Sequence, residues 1–425
     1  MVSIKKLSNG ITVVLEEMDY LRSVSFGVWV RVGSANETKY NNGISHMIEH
    51  MLFKGTKNRS AKKIAEDTAK IGGNMNAYTS KECTTYYVTT LDEHLLMAID
   101  IVGDMIQNSL FEESDIEKEK SVIIEEIDMY EDSPEDMVHE MLQKEVWKDH
   151  PLGFIISGEK EIVNSYTKKE LLEFKNRNYI AENIVISIAG HYKEDEVMRA
   201  LEANFGEIPH RTIEAELTRP KYERCIYTSH RDIEQIHMNL AFDCIDYHSD
   251  EKYPLAIVNA FLGGSENSKL YQIIREELGY TYSIYSYSCS YEKAGLFHID
   301  AALNPSKLTT VLKKIIQIIE ELKKTGITEE ELVQMKEQIK TELIIDSEST
   351  KNRMNNNGKS LLNHEKIISI DETISRVNLV TNEEIHGFME KYLRIDNLSL
   401  SLVGNLSKIN IENTKKLWES GNLNL

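Results

Sequence analysis

At 425 residues the chain is too long for one ordinary domain, and two domains of roughly two hundred residues each are expected. A hydrophobic share of 41%, a charged share of 28%, six prolines and 21 glycines describe a soluble globular chain and exclude a collagen-like or linker-dominated one. Forty-nine Lys and Arg against 69 Asp and Glu leave a formal charge of −20, which would repel a phosphate backbone; a generic nucleic-acid binder is disfavoured unless the basic residues cluster, whereas basic partners are tolerated.

The first ten residues carry two lysines with no apolar stretch behind them, so no secretory leader is expected. Residues 11–15 and 24–32 have the composition of strands. Residues 42–55 read as a helix of about three turns that Asn42 can cap and Gly55 can end. Within it His46 and His50 stand at i and i+4, so both imidazoles leave one face a turn apart. A tetrahedral zinc asks this of two nitrogens at about 2.0–2.1 Å. Glu49 lies on the flank of that face, placed to take a proton from an activated water rather than to ligate. Two histidines lack a third protein ligand, so the motif makes a demand on the rest of the chain.

A helix over 60–71, a strand over 83–91 and a helix over 93–106 come next. Ser114-Asp-Ile-Glu117 has the form of a capping box and opens a helix that reaches Tyr130. On it Glu119, Val122 and Glu126 form one stripe. Carboxylates beside Val and Ile on a buried stripe are costly unless a cation meets them, and a metal would be that cation.

Further along, Thr167 to Phe174 and Asn183 to Gly190 recur as Thr381 to Phe388 and Asn397 to Gly404, at one constant offset without a gap and with Glu170 matching Glu384. Each copy reads as a Thr-capped helix, a turn at Asn and an alternating strand ended by Gly; duplication explains the match. The expected class is α+β: two structurally similar domains, each an antiparallel-rich mixed sheet with helices packed on it. Residues 1–206 and 223–425 form the halves, and 207–222, with Pro209 and Pro220, the linker. Residues 282–291 alternate as a strand rich in tyrosine. The apolar run at 184–189 is too short to span a bilayer, so no membrane association is expected. Cys83, Cys225, Cys244 and Cys289 lack C-x-x-C spacing and read as buried free thiols in a reducing, cytoplasmic setting.

H-x-x-E-H at residues 46–50, followed by E-x-x-V-I-x-x-E at 119–126, resembles the pitrilysin/insulinase group of inverted-motif zinc metallopeptidases. Within that group the chain is similar to the half-length branch that includes the β-subunit of mitochondrial processing peptidase and its bacterial relatives. Glu126 falls at the family's spacing after His50. The resemblance implies Zn2+ as cofactor, His46, His50 and Glu126 as its ligands, Glu49 as general base and Glu119 as a supporting carboxylate. It also covers residues 72–82 as the family's active-site edge strand, where Asn76 and Ala77 would bind a peptide as an added strand. Residues 263–283 resemble the family's Gly-Gly-Ser loop, helix and R-E-x-x-x-x-x-Y segment, with Lys269 where Arg is frequent. Arg275 and Tyr282 would then contact the bound peptide, the phenol near the polarised carbonyl.

In this reading residues 1–206 are the catalytic zinc-binding domain and 223–425 contribute substrate-binding residues. The implied activity is zinc-dependent endopeptidase action on unfolded peptides or oligopeptides. A half-length chain implies a homodimer that builds a closed chamber, with Arg275 and Tyr282 serving the metal site of the other subunit. The charge of −20 leads to an expected preference for basic peptides. Two alternatives stand beside it: a dedicated processing protease for one precursor peptide with a partner subunit, and a non-catalytic structural or regulatory subunit. The second is disfavoured because all three ligands, the base and the supporting Glu are present.

Overall fold

The computed structural model describes residues 2–211 and 217–420. The expected linker at 207–222 therefore falls partly outside the described residues. Strands β1 (Val2–Lys6), β2 (Thr12–Glu17), β3 (Ser23–Val30), β4 (Asn74–Thr79), β5 (Thr84–Leu91) and β6 (Ile184–Gly190) make a six-stranded sheet in the order β1-β2-β6-β3-β5-β4. Its neighbours are antiparallel except β2 and β6. Strands β7 (Ile226–His230), β8 (Ile236–Cys244), β9 (Thr281–Ser290), β10 (Gly295–Leu303) and β11 (Ser399–Gly404) make a five-stranded sheet ordered β7-β11-β8-β10-β9, parallel only between β7 and β11. Apart from β1 the two sheets have the same order and the same single parallel pair, as duplication requires.

The first helices are α1 (Ile44–Leu52), α2 (Ala61–Lys70), α3 (Leu95–Asn108), α4 (Glu113–Asp132) and α5 (Pro134–Val146). They are followed by α6 (Lys160–Ser165), α7 (Lys168–Asn178), α8 (Glu194–Phe205), α9 (Lys252–Leu262) and α10 (Leu308–Thr325). The last are α11 (Glu329–Asp346), α12 (Thr350–His364), α13 (Ile370–Leu379), α14 (Asn382–Tyr392) and α15 (Ile411–Ser420). The repeated helices α7 and α14 both begin with a reciprocal capping box, Thr167 with Glu170 and Thr381 with Glu384. No described helix is long and apolar enough to cross a membrane. The four cysteines form no disulfide; Cys83 and Cys244 are buried, Cys225 and Cys289 only partly so.

The chain forms two compact units, and these are not the sequential halves expected at 1–206 and 223–425. The first takes Met1–Asp128, Phe154–Leu217 and Ile344–Ile368; the second takes Met129–Gly153, Thr218–Leu343 and Ser369–Leu425. Each half thus lends the other a helix: α5 packs on β8 and β11 of the second unit, α12 on β3 and β6 of the first. The reason lies in the sheets, both faces of which are buried: the far face of the first is apolar, whereas that of the second carries Asn239, His298 and Asp300. Along β3, Val24, Phe26, Val28 and Val30 enter the main core with α1, α3, α7 and α8, while Trp29 points to the opposite face. There it meets Met354, Leu361 and Leu362 of α12, beside Val14, Val185 and Ala189 of the sheet.

Polar contacts fix these lent helices. Under α12, Ser187 donates to the Met354 carbonyl at 2.8 Å, and the Glu16 carboxylate accepts from Asn357 at 2.7 Å and pairs with Arg353. Gly358 is needed where α12 crosses Trp29, because a Cβ there would sit 2.6 Å from the indole. In the second unit His139 of α5 joins Asp300 at 2.8 Å and the Tyr287 hydroxyl at 2.6 Å, while Asn239 donates to Asp300 at 2.8 Å.

Candidate metal centre

The helix that carries both histidines begins later than its sequence suggests, and a different residue holds its start. Its N-cap is Gly43, at φ 96°, and Asn42 makes no capping bond. The Asn42 amide donates instead to Glu37 at 2.9 Å and to the Ile155 carbonyl at 2.8 Å. Glu37 caps the helix in its place. Its carboxylate accepts from the Gly43 N–H at 2.7 Å and the Ser45 N–H at 2.9 Å, two donors the helix leaves orphaned. Burial pushes the Glu37 pKa up, and those amide donors oppose it. Gly43 is required for its left-handed backbone and because a Cβ would strike the Ser157 carbonyl at 2.7 Å. The helix stops at Leu52, before Gly55.

On α1 the His46 and His50 rings stand edge to face with centroids 4.6 Å apart. Helix α4 starts at Glu113, so Ser114 lies inside its first turn and does not cap it. Glu126 of α4 reaches both rings: its Oε2 is 3.7 Å from His46 Nε2 and 3.5 Å from His50 Nε2. The three ligand atoms all lie within 4.8 Å of one another. Bonds of about 2.0–2.2 Å at tetrahedral angles place ligand atoms roughly 3.4 Å apart, so this donor set fits a zinc ion with little adjustment. Glu119, 4% exposed, bridges behind it, with Oε2 3.1 Å from His50 Nδ1 and Oε1 2.7 Å from Lys54 Nζ. A carboxylate on Nδ1 holds the imidazole so that Nε2 is the nitrogen turned toward Glu126 and available to a metal once deprotonated. Val122, placed between the two carboxylates in sequence, is 48% exposed, so the stripe lies at the rim of the core rather than within it.

Charge is divided unevenly across the cluster. Burial drives the His46 pKa down to about 4, helped by His50, and so favours the neutral form that can donate to a metal. Burial also opposes charge on His50, but the Glu119 and Glu126 carboxylates outweigh it and lift its pKa to about 9. Hydrogen bonding to His50 holds Glu126 below the usual range; for Glu119, burial is overcome by His50 and Lys54. Glu49 is pushed up by burial, against a hydrogen bond from Thr79. That bond, Thr79 Oγ1 to Glu49 Oε2 at 2.6 Å, comes from β4, the edge strand next to α1.

Asn76 and Ala77 lie on the same edge strand, paired on one side with Tyr87 and Tyr86 of β5. Thus the first unit brings together His46, His50, Glu126, Glu119 and Glu49, with Asn76 and Ala77 on the neighbouring strand. Arg275 and Tyr282 belong to the second unit, where they adjoin one another: the guanidinium lies 4.4 Å from the Tyr271 ring and 5.3 Å from the Tyr282 ring. Tyr282 is 79% exposed, and Arg275 sits in a π-helical segment, Tyr271–Glu277, rather than an ordinary helix. Sequence reasoning missed Lys54, Thr79 and Glu37. Lys54 stood four residues after His50, a spacing that could have revealed it. In the duplicate, the helix after β8 is α9, whose sequence KYPLAIVNAFL contains no ligand-type residue.

Residues 12–160 match the family described as "Insulinase (Peptidase family M16)" and residues 165–339 match "Peptidase M16 inactive domain". The uncharacterized zinc protease YmxG of Bacillus subtilis is 39% identical over 395 residues, covering 93% of this chain and 96% of that one. An uncharacterized zinc protease of Streptomyces coelicolor is 33% identical over 410 residues, covering 94% and 89%. Among solved structures, a protease from Helicobacter pylori shares the fold with a TM-score of 0.89 at 20% identity, over 95% of this chain and 99% of that one. A peptidase M16 inactive domain from Pseudomonas fluorescens does so with a TM-score of 0.88 at 19% identity, over 95% and 98%. The extent and identity of the Bacillus match, together with both domain matches, make this chain a member of the insulinase family, peptidase family M16.

Proposed function

We propose that the chain is a zinc-dependent endopeptidase acting on unfolded peptides, with His46, His50 and Glu126 as metal ligands and Glu49 as general base. The observation that carries this reading is the meeting of three donor atoms from two helices within 4.8 Å of one another. The names of the relatives, zinc proteases, support the choice of metal. Zinc in such a set supplies Lewis acidity, making water nucleophilic near neutral pH and stabilising charge on a carbonyl oxygen.

The remaining work falls to side chains. Glu49 takes the proton of the attacking water at the oxygen that Thr79 leaves free, and hands it to the departing amine. Glu119 keeps His50 oriented. β4 pairs on one side only within its sheet, so the backbone at Asn76 and Ala77 can hold a peptide as an added strand without reading its side chains. Arg275 and Tyr282 of a second copy of the chain act as donors to the bound peptide and its oxyanion. Two copies of the chain enclose the peptide, which restricts substrates to unfolded ones. The charge of −20 supports a preference for basic peptides, and four thiols outside any disulfide support a reducing cytoplasmic setting.

Metal analysis and peptide cleavage test the reading. One zinc per chain is expected, with cleavage of unstructured peptides stopped by a chelator, restored by zinc, and faster for basic peptides at low salt. Glu49→Gln should keep the metal and lose roughly 10²–10⁴-fold in kcat. Near wild-type turnover by that variant would remove Glu49 as the base. Cutting of a single precursor only would favour a dedicated processing role, and an inert metal-loaded chain a structural one.

A further inference from the structure

We infer that Thr79 is a positioning residue that ties the general base to the strand on which the peptide lies; this rests on the peptidase reading above. Glu49 projects from α1 on a long side chain, whose ordering costs rotamer entropy. Among the described residues, Thr79 is the hydrogen-bond partner of its carboxylate, at 2.6 Å. The hydroxyl donates to Oε2, so Oε1 is left facing away from the anchor and free to receive a proton. One oxygen is held and the other works.

The source of the hydroxyl matters as much as the bond. β4 alternates, and Met75 and Ala77, which pack toward the main core, share the face from which Thr79 projects. Thr79 closes the strand, opposite Thr84 of β5, two residues beyond Ala77. The backbone that would pair with a peptide at Asn76 and Ala77 and the hydroxyl that fixes the base therefore belong to one short, rigid element. The distance from a paired carbonyl to Glu49 is then set by strand geometry rather than by the rotamers of a free side chain. Placement at this level is worth a great deal, since a shift of about 1 Å can cost around 10²-fold in rate.

Three variants separate this role from simple packing. Thr79→Val keeps shape and strand propensity but removes the donor; Thr79→Ser keeps the donor; Thr79→Ala serves if the valine variant does not fold. The expected result is a loss of about 10- to 100-fold in kcat for Thr79→Val, with KM and zinc affinity unchanged, and recovery to within a few-fold in Thr79→Ser. Zinc affinity is measured separately by chelator competition. Turnover of Thr79→Val within about twofold of wild type overturns the inference, as does an equal loss in the serine variant or a loss of zinc binding in parallel with kcat. Wild type and Glu49→Gln run alongside. An inert zinc-loaded wild type overturns the peptidase reading and the inference with it, whereas an active wild type with an unaffected valine variant overturns the inference alone.

Discussion

His46 and His50 are one helical turn apart, yet their surroundings prepare them differently for a metal. Burial keeps His46 neutral down to about pH 4, while Glu119 and Glu126 keep a proton on His50 up to about pH 9. A zinc ion held by His50 would have to displace that proton, so below about pH 9 its apparent affinity should rise close to tenfold per pH unit and then level off. Chelator competition across that range checks this, and a flat profile would mean that His50 is already neutral. In the metal-free chain the sign of the stability term runs the other way. The His50 pKa lies above its ordinary 6.5, so its contribution is full below that value and fades as pH rises through about 9. How much of this was legible varied by residue. The i, i+4 histidines and Glu49 announce themselves within one helix. Glu126 needed a family spacing, because no local pattern sets the distance between two helices. Thr79 sits on a strand whose approach to α1 has no sequence signature. Asn42 had the right propensity for a cap, but Glu37 arrived from outside the helix and took both its role and its amide.

At the scale of elements, α12 shows two local preferences in conflict. Gly358 lies in the middle of a fifteen-residue helix, where alanine would be better by about 1 kcal/mol on propensity alone. A Cβ at that point, however, would come within 2.6 Å of the rigid Trp29 ring, and such overpacking costs about 1–3 kcal/mol. The second effect should win: Gly358→Ala is expected to lower stability by about 1 kcal/mol, and by no more than about 2 kcal/mol, read from the midpoint of urea unfolding at constant slope. A stabilised variant would mean that Trp29 can move aside. The glycine was visible in the sequence as an oddity within a helix. Its partner was not, because nothing in α12 names the sheet it covers.

The whole molecule carries its duplication openly, in two matching sheets and two identical capping boxes, and this much was legible from the repeat of Thr167 to Gly190 at Thr381 to Gly404. Unit boundaries were not, because α5 and α12 look like ordinary amphipathic helices and their exchange leaves no mark in composition. The exchange has a direct test. Residues 1–222 expressed alone should fail to give a cooperatively melting, soluble fragment, since Trp29 and its neighbours would lose α12. Co-expression with residues 223–425 should restore it, and a well-folded isolated fragment would contradict the expectation.

The same lent helix also bears on how the protein is made. At roughly 5–20 residues per second, a ribosome that has finished β6 needs roughly ten to thirty seconds more before α12 emerges. Throughout that interval the nascent N-terminal sheet presents a bare tryptophan-centred patch to the cell, which makes this stage of synthesis the natural moment for a chaperone to hold the chain.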